Sequence, residues 1–347
     1  MIIDANMDWL PPELLSNDDL MEKYLHIVPR AYDTFATLGT IPGTDIKQIV
    51  IEKPKGYVAL NMGPESIDPK DRIAVMDEGK IDKAILRVPC FQEWLNLDLC
   101  KQVNDGMAAY AQKYKGRFHT VTVVPPWGEK ASLYELERCV KELGCVAVEV
   151  SAHYGTLYLD CREFRAFFKK ISELNVPVCV RQTVLPVQHD CILSNDTFRR
   201  HFGRCQDQAI AVGGEIFSDL FEEFPNLRMM HSMLGGGFFA FAELLAPKPS
   251  KVKEELERFD VTGSAKARKH LYTNIYFDIT VSSAWGAPAV ECAVKVFGAD
   301  RILFAASYPI RREWVTHGVD FINSLNLTEE EKKLILGLNA QNLFGIA

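Results

Sequence analysis

Residues 298–311 read GADRILFAASYPIR, and the fold turns on this stretch. A polar start at Asp300 and Arg301 gives way to an unbroken apolar run, Ile302 to Ala306, followed by Ser307, Tyr308 and Pro309. Such a run between turn residues predicts a strand buried on both faces, and Pro309 stops it. Working back toward the start, similar runs recur at 274–280 (NIYFDIT), 227–233 (LRMMHSM), 176–181 (VPVCVR), 145–150 (CVAVEV), 118–124 (FHTVTVV), 83–89 (KAILRVP) and 1–4 (MIID). Helical spacing fills the intervals at 71–80, 95–114, 132–143, 161–174, 211–224, 251–259, 264–270 and 288–297, with a last helix near 328–337. Ser132 and Glu135 have the spacing of a capping box. Eight strands alternating with helices predict an α/β protein whose parallel sheet closes into a (β/α)8 TIM barrel. An open doubly wound sheet is the competing arrangement, but no Gly-x-Gly-x-x-Gly follows the first strand and no P-loop occurs.

The 347 residues exceed the roughly 250 of a typical barrel. The surplus falls at 10–70, read as an insertion within a single domain spanning 1–347, and expected to serve as a lid or an interface. Inside it, KQIVIE (47–52) and GYVALN (56–61), joined through Lys53-Pro54-Lys55, predict a β-hairpin. Leu14, Leu15, Tyr24 and Phe35 have no evident role in a barrel, so a homodimer is expected to use them. A hydrophobic content of 48% with 20 Phe supplies an ample core. Net charge is −7 and no basic run occurs, which argues against nucleic acid and anionic membranes as partners. No apolar run reaches the roughly 18 residues of a membrane span. Nine Cys without CxxC spacing, several inside apolar segments, predict reduced thiols in the cytoplasm. The absence of a signal-like segment before the first strand fits that expectation.

Five pieces, in this order and spacing, resemble the amidohydrolase-related family typified by aminocarboxymuconate semialdehyde decarboxylase: IID at 2–4, FPNLRMMHSMLGGG at 224–237, YFD at 276–278, FGADRILFAASYP at 297–309 and GLNAQNLFGI at 337–346. The resemblance implies a TIM barrel that decarboxylates, hydrolyses or hydrates small carboxylated acids, often with one divalent metal. It also implies a ligand set: His-x-His on the first strand, a His on the fifth, a His before the glycine run and an Asp on the last. Those positions here hold Asn6 and Asp8, Arg181, Met233 or Leu234, and Ser307. A guanidinium does not deprotonate in proteins and repels a divalent cation. With the whole set replaced, the expectation is no metal and no other cofactor.

Barrel strands open their C-terminal ends onto the active-site mouth, so polar residues there are the candidates. Arg181 either forms a salt bridge to a neighbour such as Glu149 or clamps a substrate carboxylate with its planar fork. His231 is either a hydrogen-bonded core residue or a general acid–base, and its direction depends on which of Met233 and Leu234 takes the family position. His153 and Tyr154 follow the fourth strand and lie near the mouth. Glu149, alternating with Val148 and Val150, points into the barrel, where a carboxylate needs a partner. The expected function is a decarboxylase-like lyase, or a hydrolase, acting on a small carboxylated cyclic compound. Arg181 holds the carboxylate, His153 or His231 moves a proton, and Asp8 or Glu149 orients or accepts it. Asn6, Trp9, Tyr154, Ser307 and Tyr308 are the expected substrate contacts. The alternatives are a non-catalytic relative that binds a ligand or partner, and a metal site rebuilt around Asn6 and Asp8.

Overall fold

Apolar runs that satisfy their backbone groups in parallel ladders build the centre of the computed structural model, which describes the chain except residues 28–31, 90–91, 249–262 and 281–284. The helix expected at 251–259 lies outside the described residues. In chain order the strands are β1 (Ile3–Asp8), β2 (Phe35–Thr40), β3 (Lys47–Glu52), β4 (Val58–Met62), β5 (Lys83–Arg87), β6 (Phe118–Thr122) and β7 (Ala147–Ser151). A short ribbon follows, β8 (His153–Tyr154) with β9 (Leu157–Tyr158), then β10 (Val178–Arg181), β11 (Met229–His231), β12 (Ile275–Asp278) and β13 (Ile302–Leu303).

Eight of them form one parallel sheet in the order β1-β5-β6-β7-β10-β11-β12-β13. The two ends of that sheet meet: Ala5 N–H donates to Phe304 O (2.9 Å), Ser307 N–H to Asn6 O (2.8 Å) and Asp8 N–H to Tyr308 O (2.7 Å). The sheet is therefore a (β/α)8 barrel, and the open doubly wound alternative is ruled out. β1 runs four residues past the expected Asp4, because β5 on one side and the segment after β13 on the other supply partners as far as Asp8. Among the described residues no helix is long and apolar enough to cross a membrane.

Between β1 and β5 the chain forms a separate sheet of three antiparallel strands. β3 pairs with β4 (Ile49 opposite Met62, Ile51 opposite Leu60), and β2 takes the other edge of β3. Ala36, Ile49, Ile51, Ala59 and Met62 are buried on it. The sheet is tied to the helix Asp196–Phe217, where Arg199 and Arg204 donate to the carbonyls of Val58 (2.9 Å) and Ala59 (3.1 Å). Leu14 and Tyr24 are buried in the chain's own core, so they offer no surface to a partner, contrary to the reason for which they were singled out. The helix Asp196–Phe217 begins well before the expected 211, where Asn195 accepts from the Phe198 N–H (2.8 Å) as its N-cap.

Candidate functional site

Side chains alternate along a strand, so each barrel strand sends every second residue inward. At the C-terminal ends this places Asn6 and Asp8 from β1, Arg87 from β5, Glu149 from β7, Arg181 from β10 and Asp278 from β12 in one buried group, with Ser307 just beyond β13. Arg87 Nε donates to Glu149 Oε2 (3.1 Å) and its Nη1 to Asp278 Oδ2 (2.9 Å). Asp278 also accepts from Ser232 Oγ (3.2 Å), from the N–H groups of Thr280 (2.9 Å) and Met233 (3.3 Å), and from the Thr280 hydroxyl. Thr280 Oγ1 accepts from Asn6 Nδ2 (2.8 Å), and Asn6 Oδ1 accepts from Arg181 Nη1 (3.0 Å). Arg181 Nη2 completes the chain at Asp8 Oδ1 (2.6 Å) and Ser307 Oγ (3.4 Å). Arg181 is thus ion-paired, but to Asp8; the partner of Glu149 is Arg87.

Burial dominates the electrostatics. It pushes the Asp4 carboxyl up to about 7, against two backbone N–H donors, those of Asn6 (2.9 Å) and Ala306 (3.0 Å). It also raises Asp8 and Glu149 above the ordinary carboxylate range, opposed by Arg181 at Asp8 and by Arg87 and Arg181 at Glu149. Two guanidinium groups in this position hold their positive charge at any working pH.

A second buried group adjoins the first through consecutive residues of the β5 exit loop. Gln92 donates to Glu149, and Glu93 faces His153. His153 Nδ1 lies 2.7 Å from Asp207 Oδ1. The other oxygen of Asp207 is held by Thr183 through its N–H (2.8 Å) and hydroxyl (3.1 Å). His153 Nε2 makes no hydrogen bond among the described residues, and Glu93 Oε1 stands 3.9 Å from it. A carboxylate on one ring nitrogen fixes the tautomer and leaves the other free to give or take a proton.

Four candidates lie elsewhere. His231 faces outward to the helix Asp196–Phe217, with Nδ1 2.9 Å from Gln208 Oε1 and Nε2 2.8 Å from Glu215 Oε2. Its neighbour Ser232 faces inward to Arg87 and Asp278, so alternation settles His231 as a core residue. Tyr154 packs against the stacked rings of Trp127 and Phe164 (5.9 Å to each), and its hydroxyl accepts from Ser151 N–H (3.2 Å). Trp9 lies against Gly106 and Tyr110 of the helix Leu97–Lys113. Tyr308 donates to Asp71 (2.6 Å) and lines an outer cleft of about 620 Å³ with Lys70, Arg311 and Arg312. Arg87, Asp278, Thr280, Glu93 and Asp207 escaped the sequence reading. Arg87 and Asp278 carried a usable signal, a charge closing an apolar run.

The glycine run builds a left-handed turn, with φ between 51° and 82° from Met233 to Gly237. At Gly236 a Cβ would stand 1.7 Å from the Cys205 carbonyl oxygen, so only glycine fits.

The fold and site define an α/β barrel with its polar residues gathered at the C-terminal ends of the strands. Residues 91–346 match the amidohydrolase family model, and the chain belongs to that family. It is 27% identical over 300 residues to the gamma-resorcylate decarboxylase of a Polaromonas species, covering 80% of this chain and 88% of the relative. It is 22% identical over 290 residues to the 2-amino-3-carboxymuconate-6-semialdehyde decarboxylase of Dictyostelium discoideum, covering 80% and 77%. The crystal structure of a dihydroxybenzoic acid decarboxylase from Polaromonas superposes with a TM-score of 0.70 at 21% identity over 99% of this chain and 96% of that one.

That crystal structure contains bound manganese and the inhibitor 2-nitroresorcinol. The expectation of no cofactor is corrected accordingly: this decarboxylase and the 5-carboxyvanillate decarboxylase of Novosphingobium aromaticivorans are both solved with bound manganese. Among the described residues no three His, Cys, Asp or Glu side chains are grouped to hold a metal ion. The positions implied by the resemblance present an amide, one carboxylate, a hydroxyl, an apolar side chain and a guanidinium that already occupies Asn6, Asp8 and Ser307. This donor set does not fit a divalent cation, and no step below is routed through one.

Proposed function

We propose that this protein is a carboxy-lyase that releases CO2 from a small aromatic carboxylate. The carrying observation is the His153–Asp207 pair, buried, with Nδ1 fixed and Nε2 bare, beside a buried group that holds two guanidinium side chains. The curated relatives, decarboxylases over most of their length, support the same reading. In the reaction the ring carbon bearing the carboxylate takes a proton from His153 Nε2. The bond to the carboxyl carbon then breaks, its electron pair returns to the ring, and CO2 leaves; solvent restores the proton to His153. Asp207 keeps the imidazole oriented. Arg181 offers the cation for the substrate carboxylate, which competes with Asp8 for the guanidinium fork.

The test is CO2 release from 2,6-dihydroxybenzoate by the purified chain. Wild-type protein is expected to turn over, and His153→Gln to lower kcat by about 10²–10⁴-fold, the usual weight of a general acid. A protein that binds the acid without releasing CO2, or a His153→Gln variant with undiminished kcat, overturns the reading.

A further inference from the structure

Among the described residues, the barrel supplies Asp207 and Glu93 beside His153, and one further charged group reaches them from outside it. That group is Lys53, which arrives between β3 and β4 on the three-stranded sheet. Only 5% exposed, it places its ammonium 3.2 and 3.4 Å from the two oxygens of Glu93, itself 5% exposed. Lysine is almost never this buried without a partner, and a buried pair survives only where its geometry repays desolvation. Glu93 is the same carboxylate that faces His153 Nε2 at 3.9 Å. The groups around the imidazole are Asp207 from the helix Asp196–Phe217, Glu93 from the β5 exit and the ring of Tyr158 from β9 at 5.2 Å. Behind Glu93 stand Lys53 and, over Gly155, Tyr32.

We propose that the three-stranded sheet is part of the site, and that Lys53 is a positioning residue acting through Glu93 to set the charge state of His153. An anion about 4 Å from an imidazole favours imidazolium, and a cation on that anion weakens the effect. Lys53 therefore keeps Glu93 from trapping the proton that His153 must give up. The inference rests on His153 as proton donor, but its test does not need turnover.

The measurement is the titration midpoint of the His153 ring in the isotope-labelled full chain, followed by NMR and assigned by its loss in His153→Gln. Lys53→Met leaves Glu93 uncompensated, and the midpoint is expected to move to higher pH by about one unit. Glu93→Gln removes the anion and leaves the cation, and the midpoint is expected to move to lower pH. Lys53→Arg keeps the charge and is expected to stay near wild type. A sheet that merely shields the ring from water would move Lys53→Met and Glu93→Gln the same way. Shifts of the same sign, or none, overturn the proposal. If Lys53→Met does not fold, Glu93→Gln decides alone: a lower midpoint supports the proposal and an unchanged one sinks it. CO2 release is assayed on the same samples. Opposite shifts in a protein without turnover would retire the decarboxylase reading and keep this one; turnover with unmoved midpoints would do the reverse.

Discussion

Arg87 and Arg181 belong to the same buried group yet carry different loads. Arg87 answers two buried carboxylates, Glu149 and Asp278, while Arg181 answers one, Asp8, with Asn6 and Ser307 as neutral partners. Removing the cation from a buried pair leaves an uncompensated charge and costs about 3–5 kcal/mol. Arg87→Met is therefore expected to lose stability in that range, read as a lower urea midpoint at unchanged m-value. Arg181→Met is expected to cost less, because it leaves one buried carboxylate without its cation where Arg87→Met leaves two. Its main effect should be on ligand: at least tenfold weaker binding of the aromatic acid, as expected for losing charge-assisted hydrogen bonds of about 1.5–3 kcal/mol each. Equal destabilisation by the two variants, with ligand affinity unchanged in Arg181→Met, would make Arg181 a purely structural ion-pair partner.

Glu135 shows how an element can use a residue otherwise than its spacing suggests. Ser132 and Glu135 do not cap a helix start; the helix Lys130–Lys141 begins two residues before Ser132. Glu135 instead joins two helices, accepting from Asn104 Nδ2 (2.9 Å) of the helix Leu97–Lys113 and from Arg138 Nε (2.8 Å). Burial raises its pKa, but hydrogen bonds from Arg138, Asn104 and Cys139 outweigh that and hold the carboxyl below the ordinary value of 4.5. A depressed folded pKa means that the contribution is complete above the unfolded value and is lost as pH falls through the folded one. Glu135→Gln is expected to cost about 1–3 kcal/mol at neutral pH, and the gap to wild type should close below about pH 4. Urea melts at both pH values check this; a gap that persists in acid would mean that the charge contributes nothing.

Across the whole molecule, the chain's two ends lock the barrel shut. Asn339 Nδ2 donates to the carbonyls of Ala299 and Ile302 (2.7 Å each), and Phe304 N–H donates to Ile335 O (2.8 Å). The widened helical turn Leu334–Leu338 then presses Gly337 onto the backbone before β1, where a Cβ would stand 2.1 Å from the Met1 carbonyl oxygen. Gly337→Ala must push these ends apart, at a cost of about 1–3 kcal/mol. The expected signature is faster hydrogen exchange along β1 and β13 with a lower Tm, while exchange in β6 and β7 stays slow. Uniformly unchanged exchange would mean that the ends do not hold the barrel closed.

The alternation of apolar runs with helical spacing was enough to predict an eight-stranded barrel, because burial on both faces and the 3.6-residue period are local properties of a chain. The strand ends were legible for the same reason, and Asn6, Asp8, Glu149, Arg181 and Ser307 do converge. Which charge answers which was not legible. Arg87 and Asp278 meet across 191 residues and Asn6 and Thr280 across 274, and such neighbours exist only once the barrel closes. His231 turned on a single step of strand alternation that the run MMHSM leaves ambiguous. Asp207 was hidden because its helix was placed to begin at 211, and Lys53 because a hairpin in an insertion does not say which wall of the barrel it will meet. Pairing of buried charges is an energy of the assembled interior, where low dielectric makes each partner decisive, and no local pattern encodes it.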